Sequence, residues 1–521
     1  IGGRSTYSDW ILKRVNVPAI RNSDARFHDL NMQVSHDFNA TNKLDMGGYY
    51  SYDHFRLNSD TSYQYSNLNA SITYQHHFND KLLSSFSGIY SKYYYKISSR
   101  KNPQLAFDMT NEILHGELKA DFAWYPNTDH KIKFGLSTIL YRLNPGTRLG
   151  MGDESLIRNL DMEDERGIES AIYISDEYKI SNRLLLYAGL RFSSFFYMGP
   201  KTVYSYKEDM PIEPENISDT VYHDAGSPIE TYMGPEFRFS LRYIIDRYSS
   251  VKISYNRMRQ YLHMISNTTA ISPTDYWKLS DPYLKPQIGD QISLGYFLDI
   301  FGDRVESSAE IYYKNFNNIV EYKGGATLLL NNMIETDLIN GTGKAYGLEI
   351  MIRKKGRLNG WLSYTYSRIF YKVDGRFPSE KINSGEYYPA NHDKPHDVTL
   401  TGNYKFSRRF GISSNFTYST GRPITFPVSK YIQRSNVLLQ YSERNQYRIP
   451  DYLRWDLSAT LYGNLKSKKI AHSDWTLSIY NVTGRDNVYS IFFITQEGVT
   501  KGYKLSVFNQ PIITLTYNFR F

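Results

Sequence analysis

Apolar and polar residues alternate with a period of two along most of this chain. The final segment would place Ile513, Leu515, Tyr517, Phe519 and Phe521 on one face of a strand, and Ile512, Thr514, Thr516, Asn518 and Arg520 on the other. The same alternation occurs over 236–243, 305–314, 397–404 and 453–462. Because successive side chains of a β-strand point to opposite faces, the pattern predicts strands with one apolar and one polar face.

The composition favours a membrane barrel over a soluble β-sandwich. Tyr contributes 48 of the 521 residues and Phe another 27, yet 22% of the chain is charged. A barrel in a membrane needs an apolar, aromatic-rimmed outside and a polar interior. The alternating segments often run about 12–18 residues, where soluble strands usually have about 5–6. We therefore predict an all-β fold, a transmembrane antiparallel β-barrel that faces outer-membrane lipid.

Several classes of protein are excluded or disfavoured. No window approaches the ~20 consecutive apolar residues of a transmembrane helix. The absence of Cys excludes disulfides and thiolate chemistry. The net charge of +8 is spread among acidic residues without a basic stripe, which argues against nucleic-acid binding. The chain starts at Ile1-Gly2-Gly3-Arg4 without Met or an apolar leader. Because an outer-membrane barrel has to be exported, we expect the protein to have further N-terminal residues before Ile1.

Turn signals divide the chain into about 20 strands, including a partial one within 1–12. The predicted tight turns, rich in Asn, Asp, Gly and Ser, lie at 40–43, 79–81, 126–129, 181–183, 246–248, 302–304, 356–359 and 407–409. The long polar loops lie near 144–165, 199–230, 265–287, 324–343, 373–392 and 421–451. This short–long alternation predicts periplasmic turns and extracellular loops. Two further strands upstream would make 22, so residues 1–521 are expected to be barrel, with the first strands outside this chain.

Two groups of residues are candidates for function. Charges on the polar strand faces are expected to line the lumen, where they would form ion pairs, hold a plug domain or guide a solute: Arg238, Arg242, Glu310, Glu349, Arg353, Arg454 and Asp456. Loop aromatics would either stack on a ligand or pack the loops together: Tyr276, Trp277, Tyr283, Tyr387 and Tyr388.

Neither a metal site nor catalysis is indicated. The His pairs His76-His77 and His392/His396 lack the three or more convergent ligands of a metal site. The acidic stretch 161–165 lacks the spacing and glycine of a calcium loop. Neither a Gly-x-Ser-x-Gly nor a His-Glu-x-x-His motif is present. We expect no enzyme activity and no cofactor.

Six short motifs, in order, resemble those of TonB-dependent outer-membrane receptors. They are Ser280-Asp281-Pro282-Tyr283-Leu284-Lys285-Pro286 followed by Gln291–Tyr296, Gly343–Glu349, Tyr388–Asp397, Tyr418–Pro423, Arg448–Asp456, and Tyr480-Asn481-Val482 with Arg485-Asp486-Asn487. The terminal Phe521 is similar to the aromatic signal read by barrel-assembly machinery. The sequences of these motifs are most similar to those of Bacteroidota receptors that carry a carboxypeptidase-regulatory-like N-terminal domain.

The resemblance implies a transporter in the outer membrane of a Gram-negative bacterium. Such proteins capture a ligand at extracellular loops and import it by plug movement driven by TonB. Neither the plug nor the TonB-contacting segment is recognisable in these residues. The ligand stays open among an iron chelate, a cobalamin-like cofactor, an oligosaccharide and a peptide. Two alternatives also stay open: a structural barrel in a larger assembly, with a surface lipoprotein or other subunits as partners, and a passive porin.

Overall fold

The computed structural model describes residues 1–6, 13, 23–56, 60–266, 275–301, 304–433, 436–463, 472–496, 499–506 and 510–520. The predicted terminal aromatic residue, Phe521, and the turn residues Gly302 and Asp303 lie outside these ranges.

Twenty antiparallel strands form one ladder in which each strand pairs with its neighbours in sequence. They are β1 (Gly2–Ser5), β2 (Asp24–Asn39), β3 (Asn42–Arg56), β4 (Thr61–Asn79), β5 (Leu82–Ser99), β6 (Phe107–Trp124), β7 (His130–Gly150), β8 (Glu165–Lys179), β9 (Leu184–Met198), β10 (Pro228–Ile244), β11 (Ser249–Gln260), β12 (Gln287–Ile300), β13 (Val305–Tyr322), β14 (Leu338–Lys354), β15 (Leu358–Lys372), β16 (His396–Lys405), β17 (Phe410–Ser419), β18 (Tyr452–Tyr462), β19 (His472–Tyr480) and β20 (Ile512–Arg520). The predicted all-β class and the count of about 20 strands are confirmed.

The apolar face of the strands points outward. On β20, Ile513, Leu515, Tyr517 and Phe519 are 48–70% exposed. On β8, Ile172 and Ile174 are likewise exposed. The opposite face at the loop ends is covered by other segments of the chain, which identifies it as the lumen side. An uninterrupted apolar outside of this kind suits contact with lipid.

The two ends of the ladder differ in their connections. One end, here the turn end, joins strands through 40–41, 80–81, 125–129, 180–183, 245–248, 301–304, 355–357, 406–409 and 463–471. The other, the loop end, carries long connections at 151–164, 199–227, 261–286, 323–337, 373–395, 420–451 and 481–511. Two loop-end connections, 57–60 and 100–106, are short, so the alternation of lengths is less strict than predicted. Strand pairing requires only that a connection is long enough to reach the next strand. The lengths of the loops therefore cannot be inferred from the sheet.

The loops contain secondary structure that sequence alternation did not reveal. Hairpins pair Lys201–Tyr206 with Ile217–His223, Leu262–Ile265 with Tyr276–Leu279, Pro423–Ile424 with Tyr447–Arg448, Pro427–Gln433 with Asn436–Tyr441, and Val488–Gln496 with Val499–Ser506. Two-residue strands, Leu160–Asp161 and Tyr388–Pro389, add to β7 and β15. Short 3₁₀ turns occur at Pro103–Leu105, Pro214–Asn216, Ile334–Thr336, Pro378–Glu380 and Asn383–Gly385. No helix in the described ranges is long and apolar enough to cross a membrane.

The apolar core lies under the loops rather than along the barrel axis. Phe195 and Tyr197 of β9 are almost fully buried and pack with Tyr261, Leu279 and Leu143. The rings of Phe195 and Tyr261 are stacked 4.9 Å apart. The loops therefore form a packed cap that is built on the lumen face of the strands.

Candidate ligand vestibule and lumen wall

The loop cap is held together by an ion cluster around Lys278. Its ammonium group donates to Glu165 Oε1 at 2.8 Å and lies 2.7 Å from Asp281 Oδ2. Glu165 also accepts the backbone N–H of Leu279 at 2.9 Å. All three charged residues are buried. The cluster therefore fixes the 262–279 hairpin to the loop end of β8.

Opposing effects act on the pKa of Lys278. Burial disfavours the ammonium ion and lowers the pKa, but the carboxylates of Asp281 and Glu165 outweigh it and hold the pKa well above its usual range. Lys278 is therefore a buried permanent cation. Removing one partner of such a pair commonly costs roughly 3–5 kcal/mol, because the other charge stays buried.

Asp281 also shapes the turn that follows. Its Oδ1 accepts the backbone N–H groups of Tyr283 at 2.8 Å and Leu284 at 2.7 Å. A short Asp followed by Pro is suited to this kind of turn. The Ser-Asp-Pro-Tyr-Leu segment quoted above thus has a local structural role as well as a long-range one.

A histidine lies beside the cluster without joining it. His263 is 3% exposed, and its Nε2 is 2.9 Å from Ser280 Oγ. Burial lowers the pKa of His263 to about 4, with Lys278 acting in the same direction and Asp281 against it. The imidazole is neutral at physiological pH.

A second anchor joins the 420–451 loop to β13 and to neighbouring loops. Arg444 donates to Glu321 Oε2 at 3.0 Å, and its backbone N–H donates to Asn383 Oδ1 at 2.8 Å. The Arg444 guanidinium lies 4.4 Å from the ring centre of Tyr322. Asn445 donates through Nδ2 to the Pro389 carbonyl at 2.8 Å.

Asp393 is the centre of a third anchor. Its side chain is fully buried. One oxygen accepts the backbone N–H of Ile369 at 2.7 Å, and the other receives a hydrogen bond from Arg448. Arg368 lies 3.4 Å away. These contacts join the Tyr388–Asp397 motif to the Arg448–Asp456 motif, so the two motifs meet in space.

Beside the Arg444 anchor the loops form a cavity of about 580 Å³, here called the vestibule. Its wall combines hydroxyl, amide and aromatic groups with a few charges. The lining residues used below are Lys381, Tyr441, Arg444, Asn445, Phe492 and Phe493. Tyr441 and Phe492 are about half exposed. A concave site with convergent polar groups and aromatic faces is suited to a small or medium-sized ligand.

The predicted loop aromatics occupy different environments. Tyr276 and Tyr388 are only 3% and 2% exposed and belong to buried clusters. Trp277 is half-buried against the core. Tyr283 donates through its hydroxyl to the Tyr204 carbonyl. Tyr387 is exposed, with the Lys344 ammonium 3.8 Å from its ring centre. In this conformation Tyr387 is the most accessible of the five, and their binding of a ligand stays a prediction.

The predicted lumen charges do not converge on one site. Arg454 Nε lies 3.0 Å from Asp456 Oδ2, and Arg454 Nη1 donates to the Tyr480 hydroxyl at 2.7 Å. Arg353 lies 3.8 Å from Glu306. Arg242 donates to Ser250 Oγ at 3.1 Å.

The remaining lumen charges lack an ion pair with one another. Arg238 is exposed on its strand. Glu310 stands directly opposite Glu349 across the β13–β14 pair, where like charges repel. A cationic group from another domain or from a solute would be stabilised beside this acidic pair. That the lumen wall holds a plug or guides a solute stays a prediction.

A larger polar network on the lumen wall was missed by sequence reasoning. Arg191 on β9 contacts Glu169 at 3.3 Å, Glu236 at 3.6 Å and Ser137 at 3.4 Å. Tyr141 donates to Glu169 at 3.1 Å. These residues come from four strands, and only the sheet register brings them together. The period-two pattern indicated their face but not their partners.

The described part of the chain contains no group of three or more His, Asp or Glu side chains placed to hold a metal ion. His396 shares a contact of 3.1 Å with the Tyr364 hydroxyl. His392 is exposed in the 373–395 loop, with its ring centre 6.0 Å from that of Tyr371.

The comparisons with known proteins agree on family and fold. Residues 3–482 match the family model described as TonB dependent receptor-like, beta-barrel. No curated protein sequence matches the chain.

Among solved structures, the ferric-catecholate import receptor Fiu from E. coli K12 is similar, with a TM-score of 0.61 at 14% identity over 95% of this chain and 74% of that one. FpvA of P. aeruginosa, bound to a pyoverdine, has a TM-score of 0.64 at 13% identity over 96% of this chain and 65% of that one. The siderophore receptor PiuA from Acinetobacter baumannii has a TM-score of 0.62 at 11% identity over 96% of this chain and 75% of that one. The chain thus spans about two thirds to three quarters of the length of these structures.

Proposed function

The chain belongs to the TonB-dependent receptor-like β-barrel family of the bacterial outer membrane, and from this premise we propose that it is the barrel of a transporter that captures a polar ligand in the vestibule and imports it with energy from TonB. The family is one of receptors and transporters. The observation that carries the proposal is the match over residues 3–482 of a chain whose loops enclose a cavity of about 580 Å³.

The structure suits a capture site because its walls are preorganised. Arg444 and Asn445 of the vestibule wall are anchored by hydrogen bonds to Glu321 and to the Pro389 carbonyl, so this part of the wall does not have to be ordered when the ligand binds. Rigid walls reduce the entropic cost of binding. The exposed aromatic faces of Tyr441 and Phe492 supply adaptable apolar contact.

The ligand is proposed from two sources. Two of the similar structures are named a ferric-catecholate import receptor and a siderophore receptor, which makes a ferric chelate the first class to test. The wall also suits the other bulky polar classes considered above, namely a cobalamin-like cofactor, an oligosaccharide or a peptide. The TonB contact and the plug are proposed for the full-length protein, and the Bacteroidota type with its N-terminal domain is proposed from the motif wording.

The test is uptake by cells that produce the full-length protein or lack it. The probes are ⁵⁵Fe-labelled ferric siderophores, labelled cobalamin, and fluorescent oligosaccharides and peptides. Uptake of one class is expected to depend on this protein, on TonB and on an energised inner membrane. Replacing Phe492 and Tyr441 by Ala is expected to raise the half-saturating ligand concentration about 30-fold, since stacking contacts contribute about 1 kcal/mol each. The matched control is Tyr222→Ala, an exposed aromatic residue outside the vestibule.

Uptake that persists without TonB and with a protonophore would contradict the proposal and favour a passive pore.

A second candidate function has one observation in its favour. The hairpins at 427–441 and 488–506 expose Val428, Tyr431, Ile494, Val499 and Leu505. Apolar surface of this kind suits a partner such as a surface lipoprotein or another subunit. Co-purification of such a partner together with no uptake of any probe would favour a structural subunit.

A further inference from the structure

The outward surface of β5–β8 changes from apolar to cationic at one level. On the lipid-facing side of β5, the exposed Tyr90 is followed towards the loop end by Lys92. On β7 the exposed Leu140 is followed in the same direction by Arg142. Lys92 lies ten residues beyond the turn-end start of β5, and Arg142 twelve residues beyond that of β7. About 9–11 residues of a tilted strand cross a membrane. The level is therefore the outer interface of the bilayer.

The sheet register puts these cations in one row. Lys92 pairs with Leu114, Leu114 with Arg142, and Arg142 with Arg166 on β8. Lys92, Arg142 and Arg166 are here called the rim cations. With strands ~4.8 Å apart, the three spacings from β5 to β8 cover roughly 14 Å.

Two of the rim cations face each other directly. Arg142 and Arg166 are cross-strand partners, an arrangement that is destabilising unless an anion lies between them. The Asp164 carboxylate partly compensates this repulsion, since it lies 2.6 Å from Arg142 and 3.8 Å from Arg166. One carboxylate thus serves two guanidinium groups. Arg166 Nε is buried and has no hydrogen-bond partner in the protein.

The carboxylates of this region are covered while the cations reach outward. The Arg142 side chain is 53% exposed, whereas that of its partner Asp164 is 15% exposed. Lys92 is 36% exposed and its partner Glu112 is 27%. One level higher, Arg100 is 47% exposed and Asp108 is 13%. The outermost layer of charge is therefore positive, although acidic residues are close by.

We propose that the rim cations bind phosphate groups of lipid headgroups in the outer leaflet. The apolar surface below them lies in lipid, so the first groups to meet this row from outside the protein are headgroups. Guanidinium groups bind phosphate through paired hydrogen bonds, and a phosphate between Arg142 and Arg166 would relieve their repulsion. The roughly 14 Å row is wide enough for a headgroup that carries two phosphates.

The test uses the purified full-length protein in neutral detergent, with fluorescent diphosphorylated lipid A and its dephosphorylated form as probes. The variant Lys92→Gln/Arg142→Gln/Arg166→Gln is expected to bind the phosphorylated probe about 10- to 100-fold more weakly, at up to about a fivefold loss per charge. The control Arg257→Gln/Lys344→Gln/Lys372→Gln removes three cations from the outward face of β11, β14 and β15, and is expected to change binding less than about twofold. The charge-retaining variant Lys92→Arg/Arg142→Lys/Arg166→Lys is expected to lose less binding than the triple Gln variant, because it keeps the three positive charges although it loses the paired hydrogen bonds of Arg142 and Arg166.

Heat-modifiable migration in gels shows whether each variant is folded. If the triple Gln variant fails to fold, Arg142→Gln alone is measured, with an expected loss of about threefold or more. Equal binding by parent and Gln variants would overturn the proposal, as would equal losses with the dephosphorylated probe or in the control variant. Cross-linking of this row to another protein, rather than to lipid, in intact outer membranes would also overturn it.

Discussion

At the scale of single residues, the loop cap depends on buried charges whose partners are distant in sequence. Lys278 and Glu165 are 113 positions apart, and Arg444 and Glu321 are 123 apart. Each pair lies where water is excluded, so its members stabilise each other only while the loops stay packed. The cap therefore has a discrete closed arrangement rather than a continuum of loop positions.

His263 predicts how the cap responds to acid. Its folded pKa of about 4 lies below the unfolded value of about 6.5. The unfolded hairpin therefore binds more protons between these values, so the stability of the folded hairpin is complete above pH 6.5 and falls as the pH decreases towards 4. The loss has an upper limit of about 3 kcal/mol.

Hydrogen exchange or limited proteolysis of the 261–286 segment measures this response. Protection is expected to decrease from pH 7 to pH 4.5 in the parent protein. It is expected to change less in His263→Asn, which keeps a polar partner for Ser280. Lys278 and Asp281 face His263, and Glu335 lies near Lys278 with its pKa raised by burial. Glu335 acts with the opposite sign, because its protonation favours the folded cap. An identical pH response in parent and variant would show that His263 does not cause the loss of protection.

At the scale of secondary-structure elements, the alternation of residues decides which face meets lipid. Leu515 lies near the middle of β20 and is 66% exposed, opposite Leu477 on β19. Thr516 is its neighbour on the lumen face, opposite Thr476. The same logic applies along each strand, because a shift by one residue would exchange the two faces.

We predict that Leu515→Arg impairs assembly or stability and that Thr516→Arg is tolerated. A lipid-facing Arg near the bilayer midplane costs roughly 2–4 kcal/mol, whereas an Arg in a wet lumen keeps its hydration. The measurement is heat-modifiable folding together with urea unfolding of the outer-membrane protein. The assignment of faces is wrong if the two variants have equal effects.

At the scale of the whole molecule, the loop end and the turn end define the orientation in the membrane. The loop end carries the cap, the vestibule and every described hairpin outside the ladder. Barrels of this kind have short periplasmic turns and long extracellular loops. The vestibule is thus expected to open towards the outside of the cell.

Epitope tags test this orientation. A tag inserted at Asp209–Met210, in the exposed tip of the 201–223 hairpin, is expected to bind antibody on intact cells. So is a tag within the 431–447 loop. A tag at Arg408, in a turn-end connection, is expected to react only after the outer membrane is permeabilised. The reverse pattern would invert the topology.

The alternation of residues and the turn signals predicted the ladder strands, their order and their faces. This was possible because lipid on one side and water on the other impose a period of two on every strand, and because tight turns need Asn, Asp, Gly or Ser. The short motifs of the later half also marked the right places, since Asp281, Asp393 and Arg448 became anchors of the cap.

Which of these residues contact one another depends on the three-dimensional fold and could not be predicted from local patterns. The Arg191 network depends on the register of four strands, and the burial of Tyr276 and Tyr388 depends on loops that fold inward over the lumen. No local pattern encodes such contacts, because a loop residue has no periodic position from which its neighbour can be inferred. The vestibule and the row of rim cations arise for the same reason: strands and loops that are distant in sequence become adjacent when the sheet forms.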